Sequence, residues 1–313
     1  MSADLEDMVS DYLRVRRALG YTLKGTEVLL AQFVAYLRAH DAEAVTVEHA
    51  LGFAMAPTGA SPRWHALRLS AIRCFARWAV SIDPTVQVPP ARLLPARVTR
   101  AAPYIYTQQE IGSLIGAADQ LSPAIRAATI HTFLALMAST GLRTGEVVGL
   151  DIANLDQHGG TLTVTGKYGK IRMLPLHPTV LDGLTGYLHQ RDRLLPSADC
   201  PALLISTRGR RLQAANVQHT FRSLVRRTGL VPVSSACRPR LYDLRHSFAV
   251  ATMLDAYRSE ADPATVLPIL STWLGHAEPG DTYWYLTGTA ELMAAATARL
   301  QRLDKDQQQG QLS

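Results

Sequence analysis

Residues 161–174 read Thr-Leu-Thr-Val-Thr-Gly-Lys-Tyr-Gly-Lys-Ile-Arg-Met-Leu. Threonine alternates with Leu162 and Val164, which is the period of two that a half-buried strand needs. Gly166 to Lys170 supplies turn residues, and Ile171 to Leu174 returns as a second strand. The sequence on either side carries helical spacing. These patterns predict a mainly α protein with a small β-sheet (α+β).

Upstream, Leu5, Met8, Tyr12, Leu13 and Leu19 recur at helical intervals. Thr26 is placed to cap a second helix carrying Leu29, Leu30, Phe33, Val34 and Leu37, and Thr46 to start a third. Ser61-Pro62 is a strong start signal for a fourth, which carries Trp64, Leu67, Ala71, Phe75 and Trp78. At about 100° per residue, Arg63, Ser70, Arg73 and Arg77 share a sector roughly 80° wide. Arg63, Arg73 and Arg77 are therefore candidate DNA contacts, the alternative being a solvated surface helix.

From Asp83 to Pro103 come five prolines together with Arg92, Arg97 and Arg100. Proline lacks an amide donor and extends the chain, so this stretch is expected to join two domains. The expected organisation is a helical DNA-binding domain over 1–96, a linker over 97–103, and a mixed domain over 104–313 ending in a tail helix. The length of 313 residues suits two domains, and 47% hydrophobic residues suffice for two cores.

The net charge of +6 favours an anionic partner. Its distribution says more: Ser61–Arg100 holds seven arginines and one acid, and Ala202–Arg258 holds ten arginines and two acids. The guanidinium fork grips phosphate with two bonds, which lysine cannot do, so two such zones suggest two surfaces for one polyanion. No apolar run is long enough for a bilayer, and the acidic, amphipathic N-terminus resembles no signal or transit peptide. Cys74, Cys200 and Cys237 lie far apart, with neither a disulfide nor a metal-ligand pattern, which fits a reduced cytoplasmic setting.

Four islands carry chemistry: Thr140-Gly-Leu-Arg-Thr-Gly-Glu146, Gly166-Lys-Tyr-Gly-Lys-Ile-Arg172, Tyr242-Asp-Leu-Arg-His-Ser-Phe248, and Leu274-Gly-His276 followed nine residues on by Tyr285. Phosphoryl transfer from a DNA diester needs charge stabilisation, a nucleophile and an acid for the leaving oxygen. Arg143 and Arg245 can hold the non-bridging oxygens. Glu146 shares the helical face of Arg143 and can orient it. Lys167, in the turn, can protonate the departing 5′ oxygen, with Lys170 as the alternative. Gly275 can end its helix in the left-handed conformation and expose His276. Tyr285 is a phenol nucleophile once its proton is drawn off, and Tyr283 is its neighbour.

In their order, spacing and context these islands resemble the tyrosine recombinase (phage integrase) family, over roughly Tyr104 to Thr297. The resemblance implies Arg143, Lys167, Arg245, His276 and Tyr285 as catalytic residues with Glu146 supporting, and it selects Lys167 over Lys170 and Tyr285 over Tyr283. It implies a 3′-phosphotyrosine intermediate, no metal and no cofactor. Its implied partners are double-stranded DNA with specific sites, a homo-oligomer (a tetramer on paired sites) and possible partner recombinases. Tyr242 completes the set of catalytic candidates but departs from the pattern: it stands where the family usually has histidine, and a neutral phenol is a poor base, though it can still hydrogen-bond the phosphate or Tyr285. His246 corresponds to a buried, structural histidine. A type IB topoisomerase, a DNA-binding accessory protein that has lost cutting, and a metal-dependent nuclease are the rival readings. The apolar stripe Leu292, Met293, Ala296 and Leu300 must bury either on its own domain or on a neighbouring protomer.

Overall fold

The computed structural model describes residues 2–42, 44–95, 102–166, 169–259, 261–276, 280, 282 and 290–310. The chain forms two compact units, Met1–Arg100 and Ala101–Ser313. The expected linker lies mostly outside the described residues.

The first unit contains α1 (Ser2–Ala18), α2 (Lys24–Ala39), α3 (Val47–Met55) and α4 (Pro62–Ala79). Two starts follow the sequence signals. Thr46 Oγ1 accepts from the His49 amide at 3.1 Å, and Ser61 Oγ accepts from the Trp64 amide at 3.3 Å with Pro62 in the first turn. The second helix differs: it begins two residues before Thr26, after Leu23 in a left-handed conformation and without a side-chain cap. Burial of Leu29, Leu30 and Phe33 sets its position instead. Phe33, Phe53, Phe75, Leu30, Leu69 and Ile72 form the centre of this core.

The second unit is built around α6 (Ala124–Thr140), which buries eleven of its residues. It packs against α5 (Gln108–Asp119), α8 (Pro178–Leu194) and α10 (Asp243–Arg258). The sheet is antiparallel in the order β1 (Leu155–Asp156), β2 (Thr161–Thr165), β3 (Ile171–Pro175). The predicted hairpin is present, with Val164 paired to Arg172 and the Gly166 amide donating to the Lys170 carbonyl at 2.7 Å. The two-residue β1 is too short to leave a periodic signal.

Three shorter-range features bring the islands together. Helix α6 stops at Gly141, whose φ is +64° and whose added Cβ would lie 2.5 Å from Phe248. The chain then turns into α7 (Thr144–Gly149), with Arg143 at its N-terminal boundary. Helix α11 (Pro263–Leu274), capped by Asp262, ends at Gly275. Helix α9 (Ala214–Arg227) lies between the sheet and α10 in sequence, and α12 (Ala290–Gly310) packs on α10 through Leu292. The tail stripe is thus split: Leu292 is buried on its own domain, while Met293 and Leu300 are exposed.

Candidate active site

Glu146 is the hub. Its Oε2 accepts from the Arg143 amide at 2.9 Å, closing the first turn of α7, and its Oε1 accepts from Arg143 Nη1 at 2.9 Å. The same two oxygens accept from Arg172 Nη1 at 3.1 Å and Nη2 at 2.9 Å. Arg245 Nη1 stands 4.0 Å from Oε2. Burial pushes the Glu146 carboxyl pKa up, but the bonds and charges of Arg172 and Arg143 outweigh it and hold the pKa below the ordinary value. Three guanidiniums around one carboxylate leave two positive charges in a half-buried site.

The other anchor is the end of α11. Arg172 Nε donates to the Trp273 carbonyl at 2.7 Å. Arg245 Nη2 and Arg143 Nη1 both donate to the Leu274 carbonyl, at 2.8 and 3.3 Å, and Arg143 Nη2 donates to the Gly275 carbonyl at 3.2 Å. These carbonyls have no partners within the helix and carry the negative end of its dipole, so they suit cations. Gly275 makes this possible. Its φ is +67°, its amide bonds Thr272, the His276 amide bonds Ser271, and an added Cβ would lie 2.9 Å from Arg172 Nη1. The left-handed ending expected from sequence is present, and it delivers His276 to the arginines.

His276 Nε2 lies 2.9 Å from Arg245 Nη2. A guanidinium only donates, so Nε2 accepts and the ring proton sits on Nδ1, which donates to Thr282 Oγ1 at 2.7 Å. Arg245 also donates from Nη1 to the Gly141 carbonyl at 2.8 Å, and its side chain is wholly buried. Arg143 keeps 32% of its side chain exposed.

Tyr242 sits one turn before Arg245, 40% exposed, with its ring edge-on to His246 at 5.1 Å. His246 is buried. Burial, then Arg240, Arg245 and His276, push its pKa down to about 4, so it is neutral at physiological pH. Arg143, Glu146, Arg245 and His276 therefore meet, while Lys167 and Tyr285 lie outside the described residues.

The phage integrase family model matches residues 105–291. The chain is 40% identical over 305 residues to the putative integrase/recombinase y4rB of Sinorhizobium fredii, covering 95% of this chain and 97% of that one. It belongs to the tyrosine recombinase (phage integrase) family. The recombinase is also 35% identical over 222 residues to the tyrosine recombinase XerC of Escherichia coli O157:H7, covering 70% of this chain and 68% of that one. Among solved structures, a lambda integrase tetramer bound to a Holliday junction shares its fold, with a TM-score of 0.57 and 18% identity over 88% of this chain and 78% of that one.

Sequence reasoning passed over Arg172. Its signal was its place in the second island, on a strand position whose side chain faces α7 and α11. The recombinase's arginine zones also divide. Arg63 and Arg77 are exposed on α4. Arg73 donates from Nε and Nη2 to the carbonyls of Pro89 and Pro90 at 2.9 and 2.8 Å, so its fork holds the segment after α4. Arg68 is buried on the Phe53 ring and its carbonyl. In the second zone Arg211 bonds the carbonyls of Val148 and Leu150, whereas Arg222 and Arg226 are exposed one turn apart on α9. Among the described residues no cluster of His, Cys, Asp and Glu could hold a metal, and no helix is long and apolar enough to cross a membrane.

Proposed function

We propose that this recombinase cuts and rejoins double-stranded DNA at specific sites through a 3′-phosphotyrosine, as part of a mobile element. The observation that carries this reading is the meeting of Arg143 and Arg245 on the Leu274 carbonyl, beside His276 and above a single carboxylate. Such an arrangement holds two positive charges ready for the charge that builds on a pentavalent phosphate. Tyr285 Oη attacks the scissile phosphorus and gives up its proton to solvent water. The bond to O5′ breaks, and Lys167 protonates that oxygen. Attack of a 5′ hydroxyl on the phosphotyrosine reverses the sequence and conserves the bond. No metal or cofactor enters the scheme. Arg245 is covered in this structure, so engaging a phosphate requires uncovering it.

Exposed Arg63 and Arg77 on the first unit and Arg222 and Arg226 on the second offer phosphate contacts, and both units engage one duplex. Arg73, bound to two carbonyls, supports this surface by fixing the segment beside it. The likeness to a tetrameric lambda integrase on a junction supports assembly into a homo-tetramer on paired sites, in the cytoplasm where the DNA is. The second reading is an accessory DNA binder without cutting activity, favoured by an exposed phenol at 242 in place of a base.

The two are separated with a library of nicked duplexes with randomised arms, from which covalent protein–DNA adducts are captured under denaturing conditions and sequenced. Adducts lost on Tyr285→Phe and formed in excess chelator support the enzyme. Specific binding with no adduct supports the accessory role. Relaxation of supercoiled plasmid at any sequence points to a topoisomerase.

A further inference from the structure

We propose that Arg172 is a positioning residue: from the return strand of the hairpin it fixes the aim of Arg143 and the seat of His276. This rests on the cutting reaction proposed above. Arg172 does not face the solvent, since only 12% of its side chain is exposed, and all three of its nitrogens are engaged. One edge of its fork holds Glu146, on α7. Its Nε holds the Trp273 carbonyl, on α11. The plane lies against Gly275, closely enough that no side chain fits between. Thus one guanidinium from β3 locks together the two segments that present Arg143 and His276.

The arrangement also decides where Arg143 points. Arg172 occupies both oxygens of Glu146, leaving Arg143 a single side-chain bond to that carboxylate through Nη1. Without Arg172 the buried carboxylate has lost its bidentate partner and draws Arg143, and Arg245 at 4.0 Å, inward. The guanidinium with an open edge then turns from the phosphate. Lysine cannot substitute, because a point charge does not reach two carboxylate oxygens and a carbonyl in one plane.

The test compares single-turnover adduct formation on a captured duplex with a normal scissile phosphate and on the same duplex with a methylphosphonate there. The methylphosphonate carries no charge, so it gains little from a well-aimed Arg143. Arg172→Met is expected to slow cutting of the phosphodiester about 100-fold, and of the methylphosphonate less than about threefold, relative to wild type on each substrate. Arg172→Lys, which keeps the charge and supports folding, is expected to show the same pattern at about tenfold. Equal losses on both substrates in either variant mean a merely structural role and overturn the proposal, as does no loss in either. Wild-type protein that forms no adduct, or adducts that survive Tyr285→Phe, overturn the cutting reaction itself, and this inference falls with it.

Discussion

Arg245 Nη2 donates to His276 Nε2 at 2.9 Å, so a fully buried guanidinium fixes the imidazole at one nitrogen while Thr282 Oγ1 meets the other. The two side chains come from α10 and from the turn after α11, and the pair forms only because α11 stops at Gly275. Arg245→Ala is expected to lower single-turnover adduct formation by on the order of 10²–10³ or more, while duplex affinity changes less than about threefold. Denaturing gels for the adduct and mobility shifts for affinity measure the two. Equal loss of both would assign Arg245 to binding rather than to chemistry.

His246 makes stability depend on pH. Its folded value of about 4 lies below the ordinary 6.5, so the folded state resists protonation. The stability tied to the neutral ring is fully present above pH 6.5 and is lost as pH falls from 6.5 through 4. The size is about 2–3 kcal/mol between pH 7.5 and 4.5. Urea unfolding at those two pH values is expected to show that much more acid loss in wild type than in His246→Gln.

Two arginines one turn apart on α4 are expected to behave oppositely. Arg77 is exposed, so Arg77→Ala should flatten the salt dependence of DNA binding by about one unit of logarithmic slope and leave the melting temperature unchanged. Arg73 bonds two carbonyls, so Arg73→Ala should cost about 1–3 kcal/mol of stability and move the salt slope less. Titration of binding against potassium chloride, with melts alongside, checks both.

The tail helix is held by Arg299, whose Nη1 donates to the carbonyls of Ala256, Ser259 and Ala261 at 3.2, 3.2 and 2.8 Å, and by buried Leu292. Arg299→Ala is expected to raise amide hydrogen exchange across 290–302 at least tenfold without changing the rate in α6. Unchanged exchange in the tail would mean that its other contacts, among them buried Leu292, the Arg258–Glu291 ion pair and the Arg302 bond to the Tyr257 carbonyl, hold it without Arg299.

The alternation around Val164 and the Thr46 and Ser61-Pro62 starts were all legible because each rests on contacts within a few residues. Gly275 was legible for the same reason, since a helix ending in glycine has few other conformations. What escaped were choices made by tertiary packing. Arg73 looks like a member of the basic stripe and Arg68 counts in the same arginine-rich zone, yet the chain folds back onto the first and an aromatic ring covers the second. The start of α2 was misplaced because burial of Leu29 and Leu30 prevailed over the capping preference of Thr26. Arg172 looks like a turn-flanking cation until α7 and α11 are seen on either side of it. The packing partner of Leu292 was open in sequence, since an apolar stripe does not name the surface that covers it.

Three successive carbonyls, those of Trp273, Leu274 and Gly275, hold Arg172, Arg143 and Arg245, with His276 next in the chain. A displacement of that one helix end would disarm every one of these groups in the same stroke, leaving no half-competent arrangement behind. If the recombinase cuts as proposed, such all-or-nothing behaviour guards against nicks made at the wrong time or place.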